Sequence, residues 1–537
     1  MISTQRLSAV LGTLVLSACA ESVGPPAEST GGAGTGGSAG KPGAAGTVGS
    51  AGATNSGGAT HAGGGASAAT GGTNSSGGAS SSAGSFGGGG TAGKSGAAGS
   101  GGTLGGAGMP GTAGGGGSAG AAAGAGSGGA AGAAGTSGSS GMGGSTGGAC
   151  TVENCGTACT VPTLPAFSAL TSNQKLPDPF QMLSGTRMSS KSQWECRRAE
   201  IAAQLQNYET GKKDPKPPGA VTGNLSGSTF TVSVLGKSFT VTITLPTSGT
   251  PPYPAVVFLD SFSLPGSFSG VAKIEFDTNP MGDQNGHRGQ GFFFTATGSS
   301  DGAGALIAWA WGVSRLLDAL EATPAAKIDP KHVGITGCSR NGKGALMIGA
   351  FDERIALTIP QESGSGGTAL WRTSYDEDAS YGGTMSNHKV QTLDSAYGEQ
   401  PWFGTALQQF GTSTNVNKLP YDHHELLGMV APRGLLILEN TDYQWLGVNS
   451  VATGATAAQR IFQGLGSADN IGFANSGHSH CVANNAEAPY VDAFVQKFLF
   501  GKTDTDTQVW KISKTAFSGS APIDEAKWID WEVPTLN

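Results

Sequence analysis

The chain has 537 residues and a net charge of −7, yet 93 residues are glycine and only 12% are charged. Glycine is about 17% of the chain against a usual ~7%, and charge is half the usual ~25%. Glycine does not recur at every third position, which excludes collagen; the mildly acidic balance argues against nucleic acid as a partner. No apolar stretch reaches the ~18 residues of a membrane-spanning helix.

Residues 1–19 carry Arg6 and then an apolar run from Leu7 to Leu16. That run is too short to span a bilayer and fits the apolar region of a secretory signal peptide. Leu16-Ser17-Ala18-Cys19 resembles a bacterial lipobox, which implies export, lipidation of Cys19 and anchoring to an outer membrane or cell surface. The alternative is ordinary secretion. Residues 20–149 are mostly Gly, Ala, Ser and Thr, with one aromatic (Phe86) and four charges (Glu21, Glu28, Lys41, Lys94). Such a segment cannot bury enough apolar surface to offset its backbone entropy and is expected to be a disordered tether. Its typical reach is roughly 60 Å. Residues 150–537 hold 37 of the 38 aromatics, with 27 basic and 35 acidic side chains, and are expected to fold. Apart from Cys19 the cysteines number six, and an even set in an exported chain predicts three disulfides.

Within the folded part, residues 228–245 alternate like two antiparallel strands around a Gly236-Lys237 turn. Ala255–Asp260 is a short apolar run of buried-strand type. Gly304–Ala322 places Trp309, Val313, Leu316, Leu317 and Leu320 on one helix face, and Pro324 closes it. His332–Thr336 predicts a strand, Gly342–Ala350 a helix, Ala356–Ile359 a strand and Gly434–Glu439 another. A helix near Ala455–Leu465, a strand at Ile471–Ala474 and a helix at Ala488–Leu499 complete the pattern. Strands alternating with helices predict an α/β fold, a mostly parallel sheet with helices on both faces. Residues 366–430 have no clear period and read as loops or an insertion over the site.

Between the strand ending at Thr336 and the helix starting at Gly342, Gly337-Cys338-Ser339-Arg340-Asn341-Gly342 puts a serine at the tip of a strand–turn–helix. This is close to the nucleophile elbow G-x-S-x-G of α/β-hydrolases. The downstream glycine comes three residues after Ser339, and Asn341 stands where glycine is usual; Asn tolerates left-handed backbone. A serine nucleophile needs a histidine base, which in this fold comes late in the chain. His478 and His480 follow the last strand. A metal site joining them to Cys481 is disfavoured, because no carboxylate lies near at helix spacing. If Ser339 and His480 meet, Cys338 and Cys481 must also be close, so a bridge between them is consistent with His480 as base and His478 as its spare neighbour. Two acids compete: Asp442 after the strand 434–439, which topology favours slightly, and Glu362 after the strand 356–359.

Gly337–Ala345 (GCSRNGKGA), Pro360–Gly367 (PQESGSGG), Trp194–Ile201 (WECRRAEI), Asp422–Leu438 (DHHELLGMVAPRGLLIL) and Thr441–Gly447 (TDYQWLG) together resemble glucuronoyl esterases, carbohydrate esterase family 15. The likeness runs from about Cys159 to the C-terminus. It implies an α/β-hydrolase domain over 150–537 that cleaves esters between 4-O-methyl-glucuronic acid of glucuronoxylan and lignin alcohols, as a monomer without metal or cofactor. It implies Ser339 as nucleophile, His480 as base, Glu362 as acid with Asp442 as the alternative, and Arg340 as oxyanion stabiliser. Lys343, Gln391, Glu399 and Trp445 match sugar contacts. The resemblance also implies a Cys159–Cys196 bridge and leaves Cys150 and Cys155 to pair locally. Leu370 stands where fungal members keep a further cysteine. Alternatives are an acetyl-xylan or general carboxylesterase, or a tethered carbohydrate-binding protein without activity.

Overall fold

The computed structural model describes residues 150–537 apart from 218, 262, 301 and 513–523. The leader, Cys19 and the 20–149 tether therefore lie outside the described residues. Ten strands form one sheet: β1 (Thr222–Ser226), β2 (Thr229–Val234), β3 (Lys237–Thr244), β4 (Tyr253–Leu259), β5 (Ala272–Phe276), β6 (Ile328–Cys338), β7 (Ile355–Gln361), β8 (Gly434–Asn440), β9 (Ile471–Ser476) and β10 (Trp510–Lys511). Their order is β1-β2-β3-β5-β4-β6-β7-β8-β9-β10. The pairs β1–β2, β2–β3 and β3–β5 are antiparallel; every later pair is parallel. This is the mostly parallel sheet that the alternating elements predict, and it carries the α/β-hydrolase fold that the resemblance implies.

The β2–β3 turn falls at Leu235-Gly236, one residue earlier than predicted. Both residues have positive φ (53° and 72°), the geometry that follows the twist of a tight hairpin. β4, β7 and β8 are apolar along most of their length, as strands buried on both faces must be. Helix Ala305–Glu321 is buried all round, not on one face only. Its polar residues enter an interior ion network: Arg315 Nε meets Asp318 Oδ2 at 2.8 Å, Arg354 Nη1 meets Asp318 Oδ1 at 2.7 Å, and Lys213 Nζ donates to Ser314 Oγ at 2.8 Å. Pairing is what makes these buried charges tolerable.

Helix Val448–Gly464 starts seven residues before the predicted 455, because Glu377 caps its first turn by accepting from Ser450 N and Oγ at 2.8 and 2.7 Å. Residues 366–430 are the β7–β8 crossover and contain helices Trp371–Ser380, Leu393–Glu399 and His423–Gly428. Leu370 is fully buried and packs on Gly454 of helix Val448–Gly464. Helix Trp194–Leu205, β1, β5 and β10 were not predicted. The helix buries Arg197, Arg198 and Glu200 as well as apolar residues, which erases its periodicity, and β10 is two residues long. Among the described residues no helix is long and apolar enough to cross a membrane.

Candidate active site

The carboxyl ends of β6, β7, β8 and β9 converge on one site. Ser339 follows β6 directly, with φ 59° and ψ −125°, and helix Arg340–Phe351 begins at the next residue. A non-glycine residue in that region costs about 1–3 kcal/mol and persists only where its surroundings impose it. Here Ser339 N donates to Gln361 O of β7 at 3.0 Å, and Lys343 N donates to Ser339 O at 3.1 Å. The left-handed residue is thus Ser339 itself, whereas Asn341 is helical, and its buried amide donates to Asp260 Oδ2 at 3.0 Å. The displaced glycine also has a reason. A Cβ on Gly342 would lie 2.4 Å from Gln361 O, and one on Gly337 would lie 2.5 Å from Asn341 O.

Glu362 follows β7, also at positive φ (46°). Its Oε2 lies 2.7 Å from His480 Nδ1 and accepts from Asn440 Nδ2 at 3.0 Å; its Oε1 accepts from Cys481 N at 2.9 Å. Three donors and near-complete burial (3% exposed) fix this carboxylate. Asp442 is exposed, and a Cβ on Gly477 would lie 2.4 Å from its Oδ1. The structure therefore brings Glu362, not the topologically favoured Asp442, to His480. Asn440 at the end of β8 bonds both neighbourhoods: its amide donates to Glu362 and to His478 O at 2.7 Å, and its oxygen accepts from Asp442 N at 2.9 Å.

Cys338 and Cys481 are disulfide-bonded, with Cα atoms 5.6 Å apart. Their sulfurs, a Glu362 oxygen and a His480 ring nitrogen all lie within 4.8 Å of one another. Both sulfurs are committed to the S–S bond and are not thiolate donors, so this cluster does not suit a metal ion. The structure records no hydrogen bond of the half-exposed Ser339 hydroxyl among the described residues; the catalytic contact often tightens only when substrate is bound. A bridge that closes a 143-residue loop stabilises a fold by about 2–5 kcal/mol. Bridges Cys159–Cys196 and Cys150–Cys155 are also formed. His478 Nδ1 lies 3.0 Å from Ser479 O and 3.8 Å from Glu362 Oε1, beside the pair rather than in it.

A polar pocket wall adjoins. Lys343, one helical turn after Ser339, is buried, and its Nζ donates to Ser363 O, Ser365 O and Gln391 Oε1 at 2.6, 2.7 and 3.0 Å. Gln391 Nε2 donates to Glu399 Oε2 at 2.6 Å. Lys343 Nζ also lies 5.5 Å from the centre of the Trp402 ring. Burial pulls the Lys343 ammonium down to about 8 against the opposing charges of Glu399 and Glu439, with Arg340 lowering it further. Burial, reinforced by the charge of Glu362, pushes Glu439 up to about 8. Trp445 is 38% exposed and stands edge-on to His480, ring centres 4.8 Å apart. Arg340 is exposed, and as the first helical residue its N–H has no intrahelical acceptor.

Sequence reasoning missed Asn440, Glu439, Trp402 and Tyr443, whose hydroxyl accepts from His480 N at 3.0 Å. Tyr443 lies within a segment already singled out for its family likeness, but only the fold shows which way its side chain points. Two other histidines, His423 and His424, lie elsewhere. His423 is buried against Glu209 at 3.0 Å, and His424 Nε2 lies 2.9 Å from Pro177 O.

A carboxylate–histidine pair beside a serine at a strained strand–helix turn, on this sheet, defines a serine-type carboxylic-ester hydrolase. Residues 230–466 match the sequence profile "Glucuronyl esterase, fungi". The 4-O-methyl-glucuronoyl methylesterase of Hypocrea jecorina is 44% identical over 381 residues, 70% of this chain and 79% of that protein. The solved glucuronoyl esterase catalytic domain from Hypocrea jecorina superposes with a TM-score of 0.63 at 44% identity, covering 70% of this chain and all of that one. A serine-to-alanine glucuronoyl esterase from Sporotrichum thermophile, in complex with methyl 4-O-methyl-beta-D-glucopyranuronate, gives 0.63 at 38% identity, covering 71% and 100%. The chain belongs to the glucuronoyl esterase family.

Proposed function

We propose that this protein hydrolyses esters of 4-O-methyl-glucuronic acid, as in the links between glucuronoxylan and lignin alcohols, with Ser339 as nucleophile. The observation that carries the reading is the 2.7 Å Glu362–His480 pair held beside Ser339 by the Cys338–Cys481 bridge. His480 Nε2 takes the Ser339 proton as Oγ attacks the uronate carbonyl, and Glu362 keeps Nδ1 protonated and oriented. The oxyanion forms at the start of helix Arg340–Phe351, where backbone N–H groups and the Arg340 guanidinium stabilise it. His480 returns the proton to the departing alcohol. Water, deprotonated by the same imidazole, then releases the uronic acid from Ser339. The test compares a benzyl glucuronate with an acetylated xylan: turnover of the second but not the first would replace this reading with an acetyl esterase.

Lys343, Gln391, Glu399 and Trp445 form the sugar subsite in this reading. Lys343 spends its three N–H donors on Ser363 O, Ser365 O and Gln391 Oε1, so it acts on the sugar by placing Gln391; losing a hydrogen bond from a buried cation costs about 1.5–3 kcal/mol, and Lys343→Met is expected to raise KM about 10–100-fold. The wild-type KM should also rise as pH passes through about 8, because Lys343 is a cation below that value and neutral above it. A pH-independent KM from pH 6 to 9 would remove Lys343 from the subsite.

Export accompanies this reading: three disulfides among the described residues suit an oxidising compartment. The finer proposal is a monomer held at a membrane by a lipid on Cys19. Fatty-acid labelling that Cys19→Ser does not abolish would overturn the anchor.

A further inference from the structure

Gln391 sits at the end of a loop, residues 384–392, that contributes no strand to the sheet. The short pairing of Thr384 with Asn387 closes the start of the loop on itself. Its position relative to Lys343 must come from elsewhere. Three residues before Gln391, the His388 ring bridges two helices: Nδ1 lies 2.9 Å from Asp378 Oδ2 on helix Trp371–Ser380, and Nε2 lies 3.0 Å from Asp394 Oδ2 on helix Leu393–Glu399. An ionised carboxylate only accepts hydrogen bonds, so both contacts are bonds only when both ring nitrogens carry protons. A neutral ring would set one lone pair against a carboxylate oxygen.

The two carboxylates are themselves tied to the loop and the helices around it. Asp378 Oδ1 accepts from Lys389 N and Val390 N at 2.5 and 2.9 Å. Asp394 Oδ1 accepts from Tyr375 OH and Thr392 Oγ1, both at 2.7 Å. Thr392 Oγ1 also lies 3.3 Å from His388 Nδ1. The neighbouring Lys389 ammonium turns instead toward Asn387 Oδ1 at 3.5 Å. Val390 is fully buried against Gly447, and Gln391 N donates to Trp445 O at 3.0 Å.

We propose that His388, as an imidazolium clamped between Asp378 and Asp394, is a positioning residue that holds loop 384–392 so that Gln391 is presented between Lys343 and Glu399. The proposal rests on the assignment of Gln391 to the sugar subsite. Burial alone would lower the His388 pKa, but its bonds to Asp378 and Asp394 raise it above the ordinary value near 6.5. The clamp is therefore complete below that ordinary value and is lost as pH rises through the raised one.

Lys343 also loses its charge as pH rises, so a pH profile of KM alone does not separate the two groups. The test uses two other measurements. In nitrogen-15 NMR of histidine-labelled wild-type protein, both His388 ring nitrogens are expected to stay protonated to a higher pH than those of an ordinary histidine; a neutral tautomer at pH 6 overturns the clamp. In kinetics with a benzyl glucuronate, His388→Gln is expected to raise KM roughly threefold to tenfold with kcat nearly unchanged. In a Gln391→Ala background the same substitution should add less than about twofold, because the clamp acts through Gln391. A full effect in that background, or a loss confined to kcat, overturns the proposal. Wild-type KM in His388→Gln with Gln391→Ala impaired overturns the clamp alone. Wild-type KM in Gln391→Ala overturns the subsite reading and the clamp's function together.

Discussion

Ser339→Ala is expected to lower kcat on a benzyl glucuronate by about five to six orders of magnitude, with little change in KM or in thermal stability. In a serine hydrolase the nucleophile, base and acid act as a unit, and removing the serine costs about 10⁶ in kcat. What remains is the contribution of the oxyanion site and of binding, roughly 10³–10⁴ over water. The sugar-facing side chains are untouched, so KM should hold. Stability should hold as well, because the Ser339 hydroxyl carries no hydrogen bond among the described residues and the turn is fixed by backbone contacts to Gln361 and Lys343. A Ser339→Ala protein that retains more than a hundredth of wild-type turnover would show that another group attacks the ester.

The second large effect separates the two acids. Glu362→Ala should reduce kcat by about 10⁴, the order seen when a triad carboxylate can no longer hold its histidine in the right tautomer. Asp442→Ala should stay within a few-fold of wild type, because its carboxylate is exposed and lies beside Gly477 rather than His480. Glu362 also binds Asn440 Nδ2 and Cys481 N, so Glu362→Ala leaves two donors without their acceptor and should lower the unfolding midpoint. Glu362→Gln keeps most of the volume and one acceptor oxygen. It should recover stability but not rate, which distinguishes a loss of orientation from a loss of fold. Equal losses in the Glu362 and Asp442 variants would mean that the imidazole moves between two carboxylates during turnover.

Much of this site was legible in the primary structure, for identifiable reasons. The apolar runs of β4 and β8 and the glycine-flanked Ser339 carry local signals, and chain order alone places the base after β9. The acid was not decided locally. Glu362 and Asp442 both follow strands, and the choice turns on Asn440, an uncharged residue that reaches across from β8. The 366–430 segment was opaque because its short helices are held by partners far away in the chain. His423 and Trp371 both bond Glu209, 214 and 162 residues distant, and Arg372 pairs with Asp422, both fully buried. Such long-range polar contacts leave no period in the sequence.

The sulfur link between 338 and 481 has one more consequence. It joins the residue before Ser339 to the residue after His480, so a chain kept under reducing conditions lacks the covalent tie that holds those two positions near one another. Protein produced along an oxidising route is therefore expected to turn over a glucuronate ester faster than protein kept reduced.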